Sequence, residues 1–246
     1  MKRAVVLAGG VGRRLAPYTT VLPKPLMPLG DMSILEVVIR QLAHCGFKEI
    51  TLAVGHLSEL IMAVCGTGSK WGVDISYSPE ERPLGTAGPL ALIKGLDEPF
   101  LVMNGDILTT LDYAAFYQHH LDTDAFITVA TAKRQVEISL GVLELDDADR
   151  LKAYIEKPEF DYQVSMGVYV MDPGVIRDIV PGDHLDLPDL VRSAIALSKA
   201  QAYCFDGYWK DIGSRSDYEA AVTDFERMRL MFLPNDEGQE DEPPGD

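Results

Sequence analysis

Cysteine is scarce in this chain: Cys45, Cys65 and Cys204 are the three among 246 residues. Their odd number and their spacings fit neither a disulfide framework nor a zinc motif. Each has apolar sequence neighbours, so free buried thiols in a reducing cytoplasm are expected. The five histidines also lack zinc-type spacing. The pair His119-His120 suits a helix end and receives no role. No apolar run approaches the roughly 18 residues of a membrane-spanning helix, so no membrane partner is expected. Met1-Lys2-Arg3 begins like a signal peptide, but the following apolar stretch lasts about five residues and breaks at Gly9-Gly10, which predicts a buried strand. Basic charge is in deficit too. The 22 Lys and Arg face 38 Asp and Glu, a net charge of -16. That balance excludes the broad basic face of a nucleic-acid binder.

Against that deficit, the first thirty residues lack acids altogether. They hold Lys2, Arg3, Arg13, Arg14 and Lys24, which leaves 17 bases against 38 acids in the remainder. A purely cationic island in an acidic chain suits one concentrated anion. The island surrounds a glycine turn, Leu7-Ala8-Gly9-Gly10-Val11-Gly12-Arg13-Arg14-Leu15. Glycine lets backbone N–H groups approach an anion, and a helix start there adds partial positive charge. The turn therefore reads as a phosphate site.

Two common phosphate loops are excluded or disfavoured. A P-loop needs Lys-Ser or Lys-Thr after its glycines, and none follows. A dinucleotide fingerprint needs G-x-G-x-x-G, but Leu15 holds the last place and Pro17 interrupts the helix that should follow. A dehydrogenase is thus the weaker reading.

Periodicity predicts an α/β fold. Strands are expected at 4–8, 50–54, 73–77 and 100–104, with helices at 33–45, 57–65 and 86–95 between them. Ser33 and Glu36 make a capping box and Gly46 a stop. This order implies a Rossmann-like, mostly parallel mixed sheet flanked by helices. From about residue 124, closely spaced strands follow at 125–133, 139–145, 151–156 and 164–171. Helices are expected near 173–180 and 188–198, a strand near 201–206, and a long amphipathic helix over 215–230. Residues 235–246 hold six acids, no base and no large apolar side chain. Such a segment cannot offset its ordering entropy, so a disordered acidic tail is expected over 234–246.

The block from Leu7 to Thr19, followed by Pro23-Lys24-Pro25-Leu26-Met27-Pro28-Leu29, resembles the signature of the sugar-1-phosphate nucleotidylyltransferases, also called nucleotide-sugar pyrophosphorylases. Arg13 stands where that family commonly has Thr or Ser. Five further stretches are similar to family segments. They are Pro83-Leu84-Gly85-Thr86-Ala87-Gly88, Asn104-Gly105-Asp106, Leu140-Gly141-Val142, Ile155-Glu156-Lys157-Pro158 and Trp209-Lys210-Asp211-Ile212-Gly213. Ser165-Met166-Gly167 holds the place of a common Asn-x-Gly motif.

The resemblance implies a nucleotide-diphospho-sugar transferase fold over 1–233. Its nucleotide-binding part would be about 1–123 and its sugar-phosphate part about 124–233. It implies that a nucleoside triphosphate and a sugar 1-phosphate react to give a nucleotide-sugar and pyrophosphate. Arg14 and Lys24 would be catalytic, the first on the triphosphate and the second near the α-phosphate. Leu7, Ala8, Gly9, Gly10, Gly12, Arg13, Gly85 and Thr86 would bind the nucleotide. Gly141, Glu156, Lys157, Ser165 and Gly167 would bind the sugar phosphate, and Asp106 and Asp211 would hold Mg2+. Taken singly, Asp106 could be a turn-former and Glu156-Lys157 a solvated pair; together, in family order, they read as a site. The stretch Arg82 to Leu90 is most like that of mannose-1-phosphate guanylyltransferases, which favours GTP over UTP, dTTP or CTP. The sugar is a mannose, heptose, glucose or cyclitol phosphate. A non-catalytic homologue that senses nucleotide-sugar is the reading from another class. Relatives are often dimers or tetramers, so a homo-oligomer is a further expectation.

Overall fold

A computed structural model describes residues 1–234. Apart from Pro234, the expected acidic tail lies outside the described residues. In chain order the elements are β1 (Arg3–Ala8), β2 (Pro28–Leu29), β3 (Met32–Ser33), α1 (Ile34–His44), β4 (Glu49–Val54), α2 (Ser58–Cys65), β5 (Asp74–Pro79), β6 (Phe100–Asn104) and β7 (Ile107–Thr109). Then come α3 (Tyr113–Leu121), β8 (Ile127–Glu137), β9 (Val142–Leu145), β10 (Leu151–Ile155), β11 (Glu159–Met171), α4 (Leu187–Ala196), β12 (Ala200–Phe205), β13 (Trp209–Asp211) and α5 (Arg215–Phe232).

Seven strands form one sheet in the order β12-β8-β11-β6-β1-β4-β5. β1 pairs parallel with both β4 and β6, β4 with β5, and β8 with β12. Only β11 is antiparallel to its neighbours. The sheet is therefore mostly parallel and mixed. Strands β1 and β6 read as near-continuous apolar runs because both of their faces are covered. Alternation then divides the core. Val6, Leu52, Met103 and Val168 face α1, α2 and α3 with Leu35, Val38, Ile61 and Phe116. Val5, Val102, Phe100 and Ile127 face the opposite way, against Leu187, Leu190 and Ala194 of α4. A third cluster locks α5 to α1 through Ile34, Val37, Ala221, Phe225 and Phe232. Burying each such side chain contributes about 1.5–3 kcal/mol.

The helix α1 starts where the capping pattern puts it: Ser33 Oγ accepts the Glu36 N–H at 3.1 Å. The Glu36 carboxylate instead takes bonds from Arg40 and Trp71. Gly46 stops the helix at φ 83°. Two expected helices are single 3-10 turns, Gly88–Leu92 in place of 86–95 and Pro173–Ile176 in place of 173–180. At the first, the Ala87 and Gly88 amides bond the Leu185 carbonyl and so hold the segment across the chain. Four short strands were absent from the sequence reading: β2 pairs antiparallel with β3, and β7 with β13. All three cysteines are free, but only Cys65 is buried; Cys204 is exposed on the edge strand β12.

The order of strands positions the site. From β1 the chain turns first to β4 on one side and later to β6 on the other. That reversal opens a crevice at the carboxyl end of β1, where open α/β sheets bind ligands. No described helix is long and apolar enough to cross a membrane.

Candidate active site

A cleft of about 600 Å3 occupies that crevice. Its floor is the end of β1 and the turn after it, Leu7 to Gly10, with Ala53 near the end of β4, Gly55 just past it, and Asn104 at the end of β6. The loop that follows β5 supplies Glu80, Arg82, Gly85 and Thr86, and His184 closes one side. Eight of the expected residues line it: Leu7, Ala8, Gly9, Gly10, Lys24, Gly85, Thr86 and Asp106.

The glycine turn is not followed by a helix. Gly12 adopts φ 64°, and three isolated 3-10 turns succeed it at Arg13–Leu15, Tyr18–Thr20 and Lys24–Leu26. Pro17, Pro23 and Pro25 prevent a longer helix. The expected helix-start charge is therefore absent, and backbone N–H groups with side-chain cations remain as the anion donors. The turns fold the two halves of the signature together. Thr19 Oγ1 donates to the Gly12 carbonyl at 2.8 Å. A Cβ on Gly12 would stand 2.9 Å from Thr19 Cγ2, so this left-handed position admits glycine alone without strain.

This folding buries Lys24, which is 8% exposed. A buried ammonium needs a counter-charge. It finds one at Asp106, in the turn between β6 and β7, where Nζ donates to Oδ2. The other carboxylate oxygen, Asp106 Oδ1, is buried with no hydrogen-bond partner. The Ile212 N–H, just past β13, bonds the Asp106 carbonyl at 3.1 Å, and Asp211 sits opposite Ile107. Asp211 is thereby carried beside Asp106 from a hundred residues away. Burial raises the Asp211 pKa first, the Asp106 charge raises it further, and the Lys24 and Arg14 cations oppose the rise. Arg14 is exposed and, like Asp211, is not among the residues that line the cleft. Its guanidinium and the Asp211 carboxylate both flank Gly213, each about 3.2 Å from where a Cβ would be. Arg13 is exposed beside it.

Two carboxylates with one unsatisfied buried oxygen fit a hard divalent cation. Among the described residues no group of three or more His, Cys, Asp and Glu converges. Such a cation would complete its shell with water and substrate phosphate, which is the habit of Mg2+.

The expected sugar-phosphate residues form a different group. Glu156 and Lys157 are exposed in the turn between β10 and β11. Glu156 Oε2 accepts the Tyr154 hydroxyl at 3.0 Å, and the Tyr154 ring lies directly against Gly141. Ser165 Oγ accepts the Gly167 N–H at 3.2 Å and shares a hydrogen bond with the Tyr169 hydroxyl. Gly167 alone touches a cleft residue: a Cβ there would stand 2.7 Å from Asn104 Nδ2. Gly141, Glu156, Lys157 and Ser165 do not line the cleft.

Thr86 lines the cleft, but its polar groups are engaged. Its hydroxyl and N–H both donate to Asp186 Oδ1, and the hydroxyl accepts the Leu187 N–H at 2.8 Å. Glu80 escaped the sequence reading. Its Oε2 accepts the Leu84 N–H at 3.0 Å, and its Oε1 lies so near Gly9 that a Cβ there would collide with it. Burial raises its pKa. An acid two residues before Arg82-Pro83, three residues past the expected strand 73–77, was the available signal.

The nucleotidyl transferase family model matches residues 3–227. This chain belongs to the nucleotidyl transferase family. A mannose-1-phosphate guanyltransferase of Yarrowia lipolytica is 32% identical over 233 residues, covering 88% of this chain and 62% of the relative. A UTP–glucose-1-phosphate uridylyltransferase of Synechocystis is 32% identical over 244 residues, covering 89% and 62%. This nucleotidyl transferase chain thus spans about three fifths of the length of these curated relatives. Its fold matches a solved Bacillus anthracis structure assigned as a glucose-1-phosphate thymidylyltransferase. The TM-score is 0.74 at 21% identity, covering 91% of this chain and 94% of the other.

Proposed function

We propose that this chain is an enzyme that transfers a nucleotidyl group from a nucleoside triphosphate, GTP in preference, to a mannose- or heptose-like sugar 1-phosphate. The convergence of Lys24 with Asp106 and of Arg14 with Asp211, above a glycine-rich floor, carries this reading. Two polyanions must meet, so charge neutralisation and positioning are the main requirements. A sugar-phosphate oxygen attacks the α-phosphorus. The bond from that phosphorus to the β-bridging oxygen breaks, and pyrophosphate leaves with the electron pair. The step needs neither a proton transfer nor a covalent enzyme intermediate. Lys24, already held in place by Asp106, presents a point charge to the α-phosphate and the incoming phosphate. Arg14 offers its fork of donors to the departing pyrophosphate. Mg2+ held by Asp106 and Asp211 would neutralise phosphate charge in the transition state.

On this reading residues 1–123 hold the nucleotide and 124–233 the sugar phosphate, with Gly141, Glu156, Lys157, Ser165 and Gly167 at the sugar end. The named relatives support the reaction class and include both guanylyl and uridylyl transfer. Glu80 favours guanine. A carboxylate accepts two donors at once, and the guanine edge offers N1–H and N2–H2, whereas uracil and thymine offer one N–H there. Three free thiols suit a reducing cytoplasm.

The test is pyrophosphate release from each of GTP, UTP, dTTP and CTP against a panel of sugar 1-phosphates with Mg2+. GTP is expected to give the fastest release. Absence of release with every pair favours a nucleotide-sugar sensor instead. Glu80→Gln is expected to reduce the preference for GTP over UTP by about tenfold, the scale of one charge-assisted hydrogen bond. An unchanged preference removes Glu80 from base recognition.

A further inference from the structure

Helix α4 does not cap itself. Asp186 stands at its N-cap, where an aspartate ordinarily accepts an N–H of its own first turn. Its carboxylate makes no such bond. The first turn is satisfied without it. The Leu187 N–H donates to Thr86 Oγ1 at 2.8 Å, Pro188 has no N–H, and the Asp189 N–H donates to the Asp186 carbonyl at 3.0 Å. Asp186 Oδ1 turns instead to Thr86, accepting its N–H at 3.0 Å and its hydroxyl at 3.1 Å. The helix thus takes its cap from a residue 101 positions earlier. Its own capping group is used to hold that residue in place.

The exchange is one part of a longer seam. Arg82 Nη2 donates to the Gly182 carbonyl at 2.8 Å, and the Leu185 N–H donates to the Leu84 carbonyl at 2.9 Å. A Cβ on Gly85 would stand 2.5 Å from the Leu185 carbonyl oxygen and 2.8 Å from Asp186 Oδ1, so the two segments close on each other there. The stretch from Gly182 to Leu187 holds no motif, yet it backs the loop that gives Glu80, Gly85 and Thr86 to the cleft. Leu84 links the seam to the acid in the cleft. Its carbonyl is held by Leu185 while its N–H holds Glu80 Oε2. A loop pinned before its ligand arrives avoids the ordering cost that a free loop meets on binding.

We propose that Asp186 is a positioning residue for nucleotide selectivity, acting through Thr86 and Leu84 on Glu80. The inference rests on the reading of the cleft as a nucleotide site with Glu80 at the base. Its test is steady-state pyrophosphate release with GTP and with UTP, against the sugar 1-phosphate that reacts fastest. Asp186→Ser keeps an oxygen suited to capping α4 but sets it nearer the backbone, short of Thr86. It is expected to raise the KM for GTP about tenfold, the scale of the hydrogen bonds lost. It should also narrow the preference for GTP over UTP, with kcat and the KM for sugar 1-phosphate unchanged. Asp186→Asn keeps a carbonyl oxygen for both Thr86 donors and is expected to recover most of the loss. An unchanged KM for GTP in Asp186→Ser overturns the inference and leaves the reading of the cleft intact. So does a fall in kcat with loss of native circular dichroism, which assigns Asp186 to folding, or a loss that Asp186→Asn does not recover. A wild-type chain that releases pyrophosphate from no nucleotide removes the reading of the cleft and this inference with it.

Discussion

At the cleft, Leu7, Ala8 and Asn104 are carried on strands hydrogen-bonded to a neighbour on each side, with packed side chains covering both faces of the sheet. On the ribbon that β8 and β11 form beyond the sheet, Glu156 and Lys157 stand on the turn between β10, which buries nothing, and the exposed first half of β11. Both regions carry family-like segments, yet they are held by different means. The cleft is fixed by core burial and by the Lys24–Asp106 pair, so its charges are preorganised before any ligand arrives. The ribbon is fixed by strand pairing alone, so its side chains must be ordered at the moment of binding, with an entropic cost of about 0.5–1.5 kcal/mol for each long chain. The two regions should therefore respond differently to substitution: the cleft in turnover, the ribbon in affinity.

Lys24→Met should separate them most sharply. Turnover should fall on the order of a thousandfold, because one preorganised charge at the reacting phosphate is removed. Steady-state kinetics measures this, and a thermal melt shows whether the fold persists beside the now uncompensated Asp106. Near-normal turnover removes Lys24 from the chemistry. Asp211→Asn should be next, raising the Mg2+ concentration for half-maximal activity by about 10–100-fold, since a carboxylate ligand is replaced by a neutral one. Addition of EDTA to the wild-type chain should abolish activity and excess Mg2+ should restore it. Activity that survives chelation argues against the two-aspartate site.

On the ribbon, Lys157→Ala should raise the KM for sugar 1-phosphate about tenfold and leave the KM for nucleotide alone, as expected of a single exposed charge-assisted contact. Equal effects on both KM values would merge the two regions and end the comparison. The smallest effect belongs to neither. Asp224, on α5, accepts from the Tyr208 hydroxyl and from Lys210, and those bonds hold its pKa below the ordinary carboxylate value. A depressed pKa stabilises the fold above the unfolded pKa, and the gain is lost as pH falls through the folded one. Asp224→Asn should therefore cost about 1 kcal/mol near neutral pH and progressively less in acid, as read by denaturant unfolding.

Local signals in the sequence were enough for β1, α1 and α5, because each is specified by its own residues. Ser33 caps α1 through a bond three residues away, and the glycine turn ends β1 within the same short stretch. The parts that were not legible depend on distant partners. The 86–95 segment stops being helical because Leu185 takes its amides, and β7 exists as a strand only because Trp209–Asp211 lies alongside it. In the candidate site the meeting of Lys24 with Asp106 was legible from the motifs that carry them. The loop after β5 was less so. Thr86 stood out by its place in a segment, yet its hydroxyl is occupied by Asp186 and Leu187, while Glu80 projects into the cleft from a position that no motif flagged.

The pairing of β7 with β13 also bears on how the chain is made. Ile107–Thr109 leaves the ribosome about a hundred residues ahead of Trp209–Asp211, its one strand partner among the described residues, so in the nascent polypeptide that short edge stays unpaired while β8 to β12 are still being assembled. Translation that halts before Trp209 would leave a product with most of its sheet in place and its two aspartates never united.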